Sequence, residues 1–473
     1  MEEEVVRAKK IETINTDVLK VMKKKHKNLH VGVISLGCDK NRVDTELMLT
    51  YLRAGGYKFT ADPENADIII INTCGFIKTA RDESMEAINE MSEFRKDPKK
   101  RCERLIVTGC MPQKWSSEMR EEFPEVDIFL GIDQYPDILK IINTSLEKDK
   151  KIVKVGGTNT IPNLRDRMVT TPLHYAYLKI SDGCDNHCTF CNIPSIRGKY
   201  RSREIDNIFD EASTLVRNGA SELIIVAQDI TRYGMDKAGK PRLVKLLKRL
   251  STIPDLKWIR LLYCYPELIT DELLNEIITN PKICKYIDIP LQHISPNVLK
   301  RMNRRSTRED ILNLIKKIKN LPVYIAIRTT LMAGFPGETE EEFNELCDFV
   351  KTSQLMHVGF FAYSKEEGTV AGDFKDQIDD EVKKKRVLKL MKIQKKVAKE
   401  VNKKFIGKTL EVIYEGIDYE KELFFGRSEY QTPEADSIVL FKSKRELEIG
   451  KFYKVKITKV RGYDLQGEVV DED

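Results

Sequence analysis

The stretch Tyr175–Cys191, YAYLKISDGCDNHCTFC, runs an apolar, strand-like segment directly into three cysteines spaced Cys-x-x-x-Cys-x-x-Cys. Cys184, Cys188 and Cys191 therefore sit on the loop that leaves a strand. A second trio is spread out: Cys38, Cys74 and Cys110 each end their own apolar run, VGVISLG, DIIIINT and RLIVTG. Three thiolates fill only three of the four iron positions of a cubane cluster, which leaves one iron open for chemistry. Two such trios in one chain point to an enzyme with two coupled iron–sulfur sites. For the tight trio, two alternatives are a zinc site that recruits His187 as fourth ligand and a cluster used only for electron transfer.

Outward from Tyr175, strand-like runs at 175–180, 222–227, 257–263, 285–290, 323–330 and 356–363 alternate with helical stretches. In Glu204–Arg217, for example, Ile205, Ile208, Phe209, Ala212, Leu215 and Val216 share one face at helical spacing. Six β–α units predict a partial barrel over residues 170–402, whose active site lies at the carboxyl ends of its strands. The tight trio is on that side. The final helical segment, Glu381–Lys404, carries a stripe of Val387, Leu390, Met391, Val397, Ala398 and Val401, interrupted by Gln394. It reads as a helix packed on the barrel with its lysines in solvent; nucleic-acid binding by those lysines is the alternative.

Upstream, residues 30–150 carry runs at 31–36, 67–72, 104–109 and 127–130 that are apolar at nearly every position, with helical patterns between them, clearest at Asp44–Leu52 and Thr79–Met91. Such runs suit parallel strands buried on both faces, and the alternation predicts a doubly wound α/β sheet. Cys38, Cys74 and Cys110 each follow a strand by one to three residues. They should therefore converge on the carboxyl edge, where such sheets bind ligands. Cys102 precedes its strand and belongs at the other end. Downstream, residues 405–473 contain short runs (LEVIYEG, SIVLF, YKVKITKVRG) that predict a small antiparallel barrel. Residues 1–29 form a charged extension. The fold class is thus α/β, in three modules, as a length of 473 residues suggests.

No segment approaches the roughly 20 apolar residues of a membrane span. The N-terminus lacks the apolar core of a secretory signal. Ten cysteines without an export signal are ligands or free thiols rather than disulfides, which places the chain in a reducing compartment, most simply the cytoplasm. Cys264, Cys284 and Cys347 have no ligand spacing and read as buried thiols. The net charge of +6 is uneven: residues 409–473 hold 15 acidic and 10 basic side chains, so the rest of the chain is strongly basic.

The loop DGCDNHCTFC resembles that of the radical S-adenosylmethionine enzymes. With ISLGCDKNRVDTE, INTCGFI, IVTGC, CNIPSIRGKYRSR, AQDITRYG, IPLQH and MAGFPGETEEEF it resembles the methylthiotransferases in particular, from about residue 31 to the end, the final barrel being similar to a TRAM domain. INTCGFI, IPSIRGKYRSR and AQDITRYG are most similar to the branch that modifies an aspartate of ribosomal small-subunit protein twelve. The resemblance implies two 4Fe-4S clusters and S-adenosylmethionine as cofactors. It implies that Cys184, Cys188 and Cys191 hold the cluster that cleaves S-adenosylmethionine to a 5′-deoxyadenosyl radical, which takes hydrogen from the aspartate β-carbon. Cys38, Cys74 and Cys110 would hold an auxiliary cluster presenting a sulfur, methylated by another S-adenosylmethionine before the methylthio unit joins the carbon radical. The implied partners are the ribosomal protein and an electron donor; no membrane is expected as partner, and nucleic acid is disfavoured as the direct substrate.

Further residues carry weaker signals. Phe190 could shield the cluster or simply pack. Gln228 and Asp229, after the second barrel strand, could contact the cofactor amine or cap a loop. Arg328, near the end of the fifth strand, could meet the cofactor ribose or carboxylate, or form a structural ion pair. GFPGE, Gly334–Glu338, lacks the Lys-Ser/Thr of a phosphate loop and reads as a rim turn. Gln292 and His293 face the same rim, with His293 a candidate base. The basic strip Arg197, Lys199, Arg201, Arg203 could hold an acidic substrate or RNA, or bridge domains. Net acidity of the last module disfavours RNA and suits a basic ribosomal protein. The alternatives are methylthiolation of a tRNA adenosine, to which basic residues within 442–461 could contribute, and a non-catalytic iron–sulfur carrier or ribosome-assembly factor.

Overall fold

A computed structural model describes residues 28–157, 161 and 166–470 of the protein. The expected N-terminal extension, apart from its last two residues, lies outside the described residues. The chain divides after Thr170 into two compact units.

The first unit is built on a six-stranded, wholly parallel sheet: β1 (His30–Ser35), β2 (Lys58–Thr60), β3 (Ile68–Thr73), β4 (Arg104–Gly109), β5 (Ile128–Leu130) and β6 (Ile152–Lys154), in the order β2-β1-β3-β4-β5-β6. The unbroken apolar runs reflect burial on both faces. Ile68, Ile70 and Ile106 pack with Leu47, Met48 and Ile138 on one side, while Ile69, Ile71, Leu105 and Val107 pack with Ile88, Met91 and Met119 on the other. Each fully buried isoleucine contributes roughly 1.5–3 kcal/mol. Strand order reverses between β1 and β3, and in doubly wound sheets that reversal opens a crevice at the carboxyl edge.

In the second unit, six parallel strands form one open sheet: β7 (Tyr175–Lys179), β10 (Glu222–Val226), β11 (Trp258–Leu261), β12 (Ile283–Gln292), β13 (Ala326–Ala333) and β14 (His357–Ala362), neighbours in that sequence. Between β7 and β10, the two-residue strands β8 (Ser181–Asp182) and β9 (Arg201–Ser202) pair antiparallel. They pinch together the base of the loop that carries Cys184, Cys188 and Cys191. All six expected barrel strands are present. β13 begins three residues later than the apolar run suggests, because Pro322 and the turn around it keep 321–325 out of the ladder. Arg328 is consequently near the start of its strand, not its end.

The helix Asp380–Asn402 buries Leu390, Val397, Ala398 and Val401 as expected, whereas Met391 is exposed. Gln394 belongs to the buried stripe, because its amide donates to the carbonyls of Leu355 and Met356 at 3.0 and 3.4 Å.

The C-terminal strands β15 (Thr409–Asp418), β16 (Leu423–Ser428), β17 (Val439–Lys442), β18 (Phe452–Arg461) and β19 (Asp464–Val469) close into a barrel. Four of its pairings are antiparallel, but β17 and β19 run parallel, which corrects the expectation of a purely antiparallel barrel.

This barrel closes the amino end of the six-stranded sheet through a buried polar network. Glu222, at the start of β10, receives Arg260 Nε at 2.5 Å and Arg427 Nη2 at 2.7 Å. Arg427 also meets Glu415 at 2.8 Å, and Glu415 meets His174 at 3.1 Å. Nearby, the Tyr286 hydroxyl donates to Asp436 at 2.7 Å. Burial opposes ionisation of Glu222, but Arg260 and Arg427 outweigh it and hold its pKa down to about 2. The opposite, carboxyl end of the sheet is where the cysteine loop lies.

Candidate functional site

In the first unit, the three loops that follow β1, β3 and β4 interlock. Gly37 has φ +88°, and a Cβ there would stand 2.7 Å from the Cys74 Cβ; at Gly75 a Cβ would lie 3.0 Å from the backbone of Cys110. Only residues without a side chain allow these approaches. Asn41, fully buried, sits where the loops meet. Its amide donates to the Thr73 carbonyl at 2.9 Å and the Leu36 carbonyl at 3.2 Å, and its carbonyl accepts from Cys110 Sγ at 3.5 Å. Cys74 and Cys110 are buried and Cys38 is exposed. Cys102 is buried at the opposite end of β4 from Cys110.

In the second unit, the tight loop is held from three sides. At its base, Asp182 accepts from Lys179 at 3.0 Å, Arg197 at 2.9 Å and Gln228 at 2.9 Å. Burial works against this carboxylate, yet Arg197 and Lys179 keep it well below the usual range. On the β10 side, Asn186 donates to Asp229 at 3.2 Å, and the Tyr200 hydroxyl donates to the Asp229 carbonyl at 2.9 Å. On the β12 side, the Thr189 amide and hydroxyl donate to the carbonyls of Met302 (3.1 Å) and Arg301 (2.9 Å). Asn303 donates to the His187 carbonyl at 2.7 Å. Arg304 Nη1 donates to Cys188 Sγ at 3.5 Å.

The sulfurs also receive backbone donors: Asn186 N to Cys184 Sγ at 3.4 Å and Ile193 N to Cys191 Sγ at 3.5 Å. Burial, with Asp229 and the neighbouring thiols adding, pushes Cys184 up to about 11; burial raises Cys191 as well. Thiols so placed ionise on binding a metal, which deprotonates its ligands. Among the described residues, no three His, Cys, Asp or Glu side chains are set to hold a single metal ion. A polynuclear cluster takes one thiolate per iron, so its ligands stand further apart than those of zinc. The donor set, three thiols with donors to their sulfurs, fits such a cluster.

The remaining candidates fall as follows. Phe190 packs beside Val298, Met302, Phe335, Tyr363 and Ala371, as its packing reading expects. Gln228 Nε2 is spent on Asp182, while its Oε1 is buried without a protein partner. Asp229 is pushed up to about 6 by burial, and it also accepts from the Thr231 amide and hydroxyl. Arg328 is engaged by Asp288 at 2.9 Å and by Asp436 of the C-terminal barrel at 3.3 Å, the structural ion pair rather than a rim contact.

His293 is fully buried, with Nδ1 accepting from the Ser295 amide and Nε2 facing Glu338 at 3.2 Å. Glu338 also receives Arg386 and the Gly334 amide, so GFPGE is a locked turn and His293 part of its lock, not a rim base. In the basic strip, Arg197 and Arg203 are buried against Asp182 and Glu211, and Arg201 bonds backbone carbonyls. Part of the acidity of the C-terminal module is likewise engaged within the protein: Glu415 pairs with Arg427 and Asp436 with Arg328, while Glu429 and Glu434 accept from the Lys285 amide and the Tyr175 hydroxyl. Charge alone therefore discriminates less between substrates than the sequence implies.

The sheet and the cysteine loop lie within a stretch that matches the radical S-adenosylmethionine enzymes, which gives the class of the protein. Residues 178–350 match the model of the Radical SAM superfamily, residues 30–131 that of Uncharacterized protein family UPF0004, and residues 406–470 the TRAM domain. The protein is 46% identical over 441 residues to "Ribosomal protein uS12 methylthiotransferase RimO" of Clostridium tetani, covering 93% of this chain and 98% of that one. It is 46% identical to the protein of the same name from Clostridium acetobutylicum over 444 residues, 94% and 99% of the two chains. The chain belongs to this RimO family of methylthiotransferases. Among solved structures, the radical S-adenosylmethionine methyltransferase TsrM from Kitasatospora setae, with cobalamin and a 4Fe-4S cluster bound, superposes with a TM-score of 0.53 over 74% of each chain. At 15% identity that likeness concerns the fold alone.

Proposed function

We propose that this protein is a cytoplasmic radical S-adenosylmethionine methylthiotransferase that adds a methylthio group to the β-carbon of an aspartate in ribosomal protein uS12. The observation that carries this reading is the 46% identity to RimO proteins across nearly the whole of both chains. Residues 30–150 would serve the auxiliary cluster, 170–402 the radical chemistry and 405–473 a TRAM-type module. Cys184, Cys188 and Cys191 would hold one 4Fe-4S cluster and Cys38, Cys74 and Cys110 the other. When bound, the clusters and S-adenosylmethionine supply the radical and the methylthio unit.

The chain's own residues orient and enclose. The β8–β9 pinch and the Asn186–Asp229 bond fix the tight loop at the carboxyl end of β7. Gln228 Oε1, buried and unused by the protein, is an acceptor available to the cofactor's amine. Phe190 keeps an apolar wall behind Cys191, and Asp229 acts by tying the loop. Fixing ligand loops in advance spares the reaction the cost of ordering them. The test is anaerobic incubation of the cluster-loaded protein with uS12, S-adenosylmethionine and reductant. The expected gain on uS12 is about 46 Da, the difference between SCH3 and H. The same gain on a tRNA adenosine, with uS12 unchanged, would overturn the reading.

A further inference from the structure

Four consecutive residues in the segment that follows β12, Arg301, Met302, Asn303 and Arg304, each bind the cysteine loop. Three of them use carbonyls or an amide, and these are ordinary tethers. Arg304 differs, because it aims a permanent positive charge and an N–H at a ligand sulfur, Cys188 Sγ, at 3.5 Å. The guanidinium is locked in this pose. Its Nη2 donates to the Pro290 carbonyl at 2.6 Å, and its Cζ lies over the Tyr265 ring, 4.7 Å from the ring centre. A small cavity of about 60 Å³, lined by His187, Tyr265 and Arg304 among others, adjoins it. A carbonyl anchor on one arm, an aromatic face beside it and sulfur on the other arm leave the group little freedom to turn away.

We infer that Arg304 is a positioning residue that sets the reduction potential of the cluster held by Cys184, Cys188 and Cys191. Hydrogen bonds to the sulfurs and nearby charge are among the determinants of iron–sulfur potentials. Reduction adds one electron and no proton to the cluster, and the one-electron donor is oxidised in step. The reduced cluster carries one more negative charge, so a cation and an N–H at sulfur favour it over the oxidised form. Arg304 thus eases the transfer that precedes radical formation. The inference rests on the reading of this trio as cluster ligands.

The test uses the full chain with Cys38, Cys74 and Cys110 changed to Ala, so that one cluster gives the signal, titrated with dithionite and followed by electron paramagnetic resonance. Arg304→Met should make reduction at least about tenfold less favourable, a shift of about 59 mV to more negative potential for one electron, at unchanged iron content. An unchanged midpoint at full iron content would overturn the inference, as would lower iron with an unchanged midpoint, which marks a merely structural residue. If Arg304→Met holds no iron, Arg304→Lys replaces it. Lysine keeps the charge but cannot serve both Pro290 and Cys188, so its midpoint should also fall, and equality with the parent overturns the inference. A parent protein without iron would instead refute the ligand reading itself.

Discussion

Arg427→Met cuts the centre of the buried network that joins the C-terminal barrel to the six-stranded sheet. Arg427 is 1% exposed and Glu222 fully buried. The methionine fills comparable space, so the loss is electrostatic: Glu222 keeps Arg260 but loses its second cation, and Glu415 keeps only His174. Removing one partner of a buried pair costs about 3–5 kcal/mol, because the remaining charge stays desolvated. For a cooperative unit of about 300 residues, at roughly 2.1 cal/mol/K of unfolding entropy each, that is a Tm lowered by about 5–8 °C. Differential scanning calorimetry would measure it.

Lys257→Met provides the control across the same junction. The Lys257–Glu411 pair, at 2.6 Å, is 41% and 44% exposed, and such pairs contribute less than about 1 kcal/mol. The effect also has a pH signature. Glu222 has its pKa lowered from 4.5 to about 2 in the folded protein. The stability it contributes is present above the unfolded value and is lost as pH falls towards the folded one. The gap between wild type and Arg427→Met should therefore narrow below about pH 4.5. An Arg427→Met loss no larger than that of Lys257→Met, or a gap independent of acid, would refute the reasoning.

Cys184→Ala should abolish cleavage of S-adenosylmethionine to 5′-deoxyadenosine, measured by chromatography; retained cleavage would remove Cys184 from the radical site. Cys110→Ala should keep that cleavage and lose the methylthio product on uS12, and unchanged product would count against the auxiliary site. Asn41→Ala removes the hub that ties together the loops of Cys38, Cys74 and Cys110. It should cost about 1–3 kcal/mol in the first unit and lower iron content by denaturant titration and colorimetric assay, with cleavage preserved; wild-type iron and stability would show that Asn41 is not the hub.

The parts of this molecule legible in the sequence are those with a local cause. β3 and β4 declare themselves because two-sided burial demands unbroken apolar runs; Cys38, Cys74 and Cys110 stand out because each follows such a run, and Cys184, Cys188 and Cys191 by their tight spacing after a single one. β2 and β6 are three-residue edge strands, too short to leave a pattern. β16 and β19 were hidden by Gly426 and Gly467, whose bare backbones pass close to Ile413 and Lys456 in the barrel wall and interrupt the alternation that marks a strand. Among site residues, Arg304 is 116 positions from Cys188, and Asn41 is 69 from Cys110. Nothing near either residue announces its partner; only the closing of the sheets brings them together. The misplacement of Arg328 has a local origin, an apolar run that begins before its strand does.

The central claim is that one chain holds two clusters, one on each cysteine trio. Iron and acid-labile sulfide counted per chain after anaerobic reconstitution test it most directly. The expected values are about eight irons for the wild type and about four when either trio is changed to alanine. A wild-type protein with only about four irons, or a trio whose removal leaves the count untouched, would contradict it.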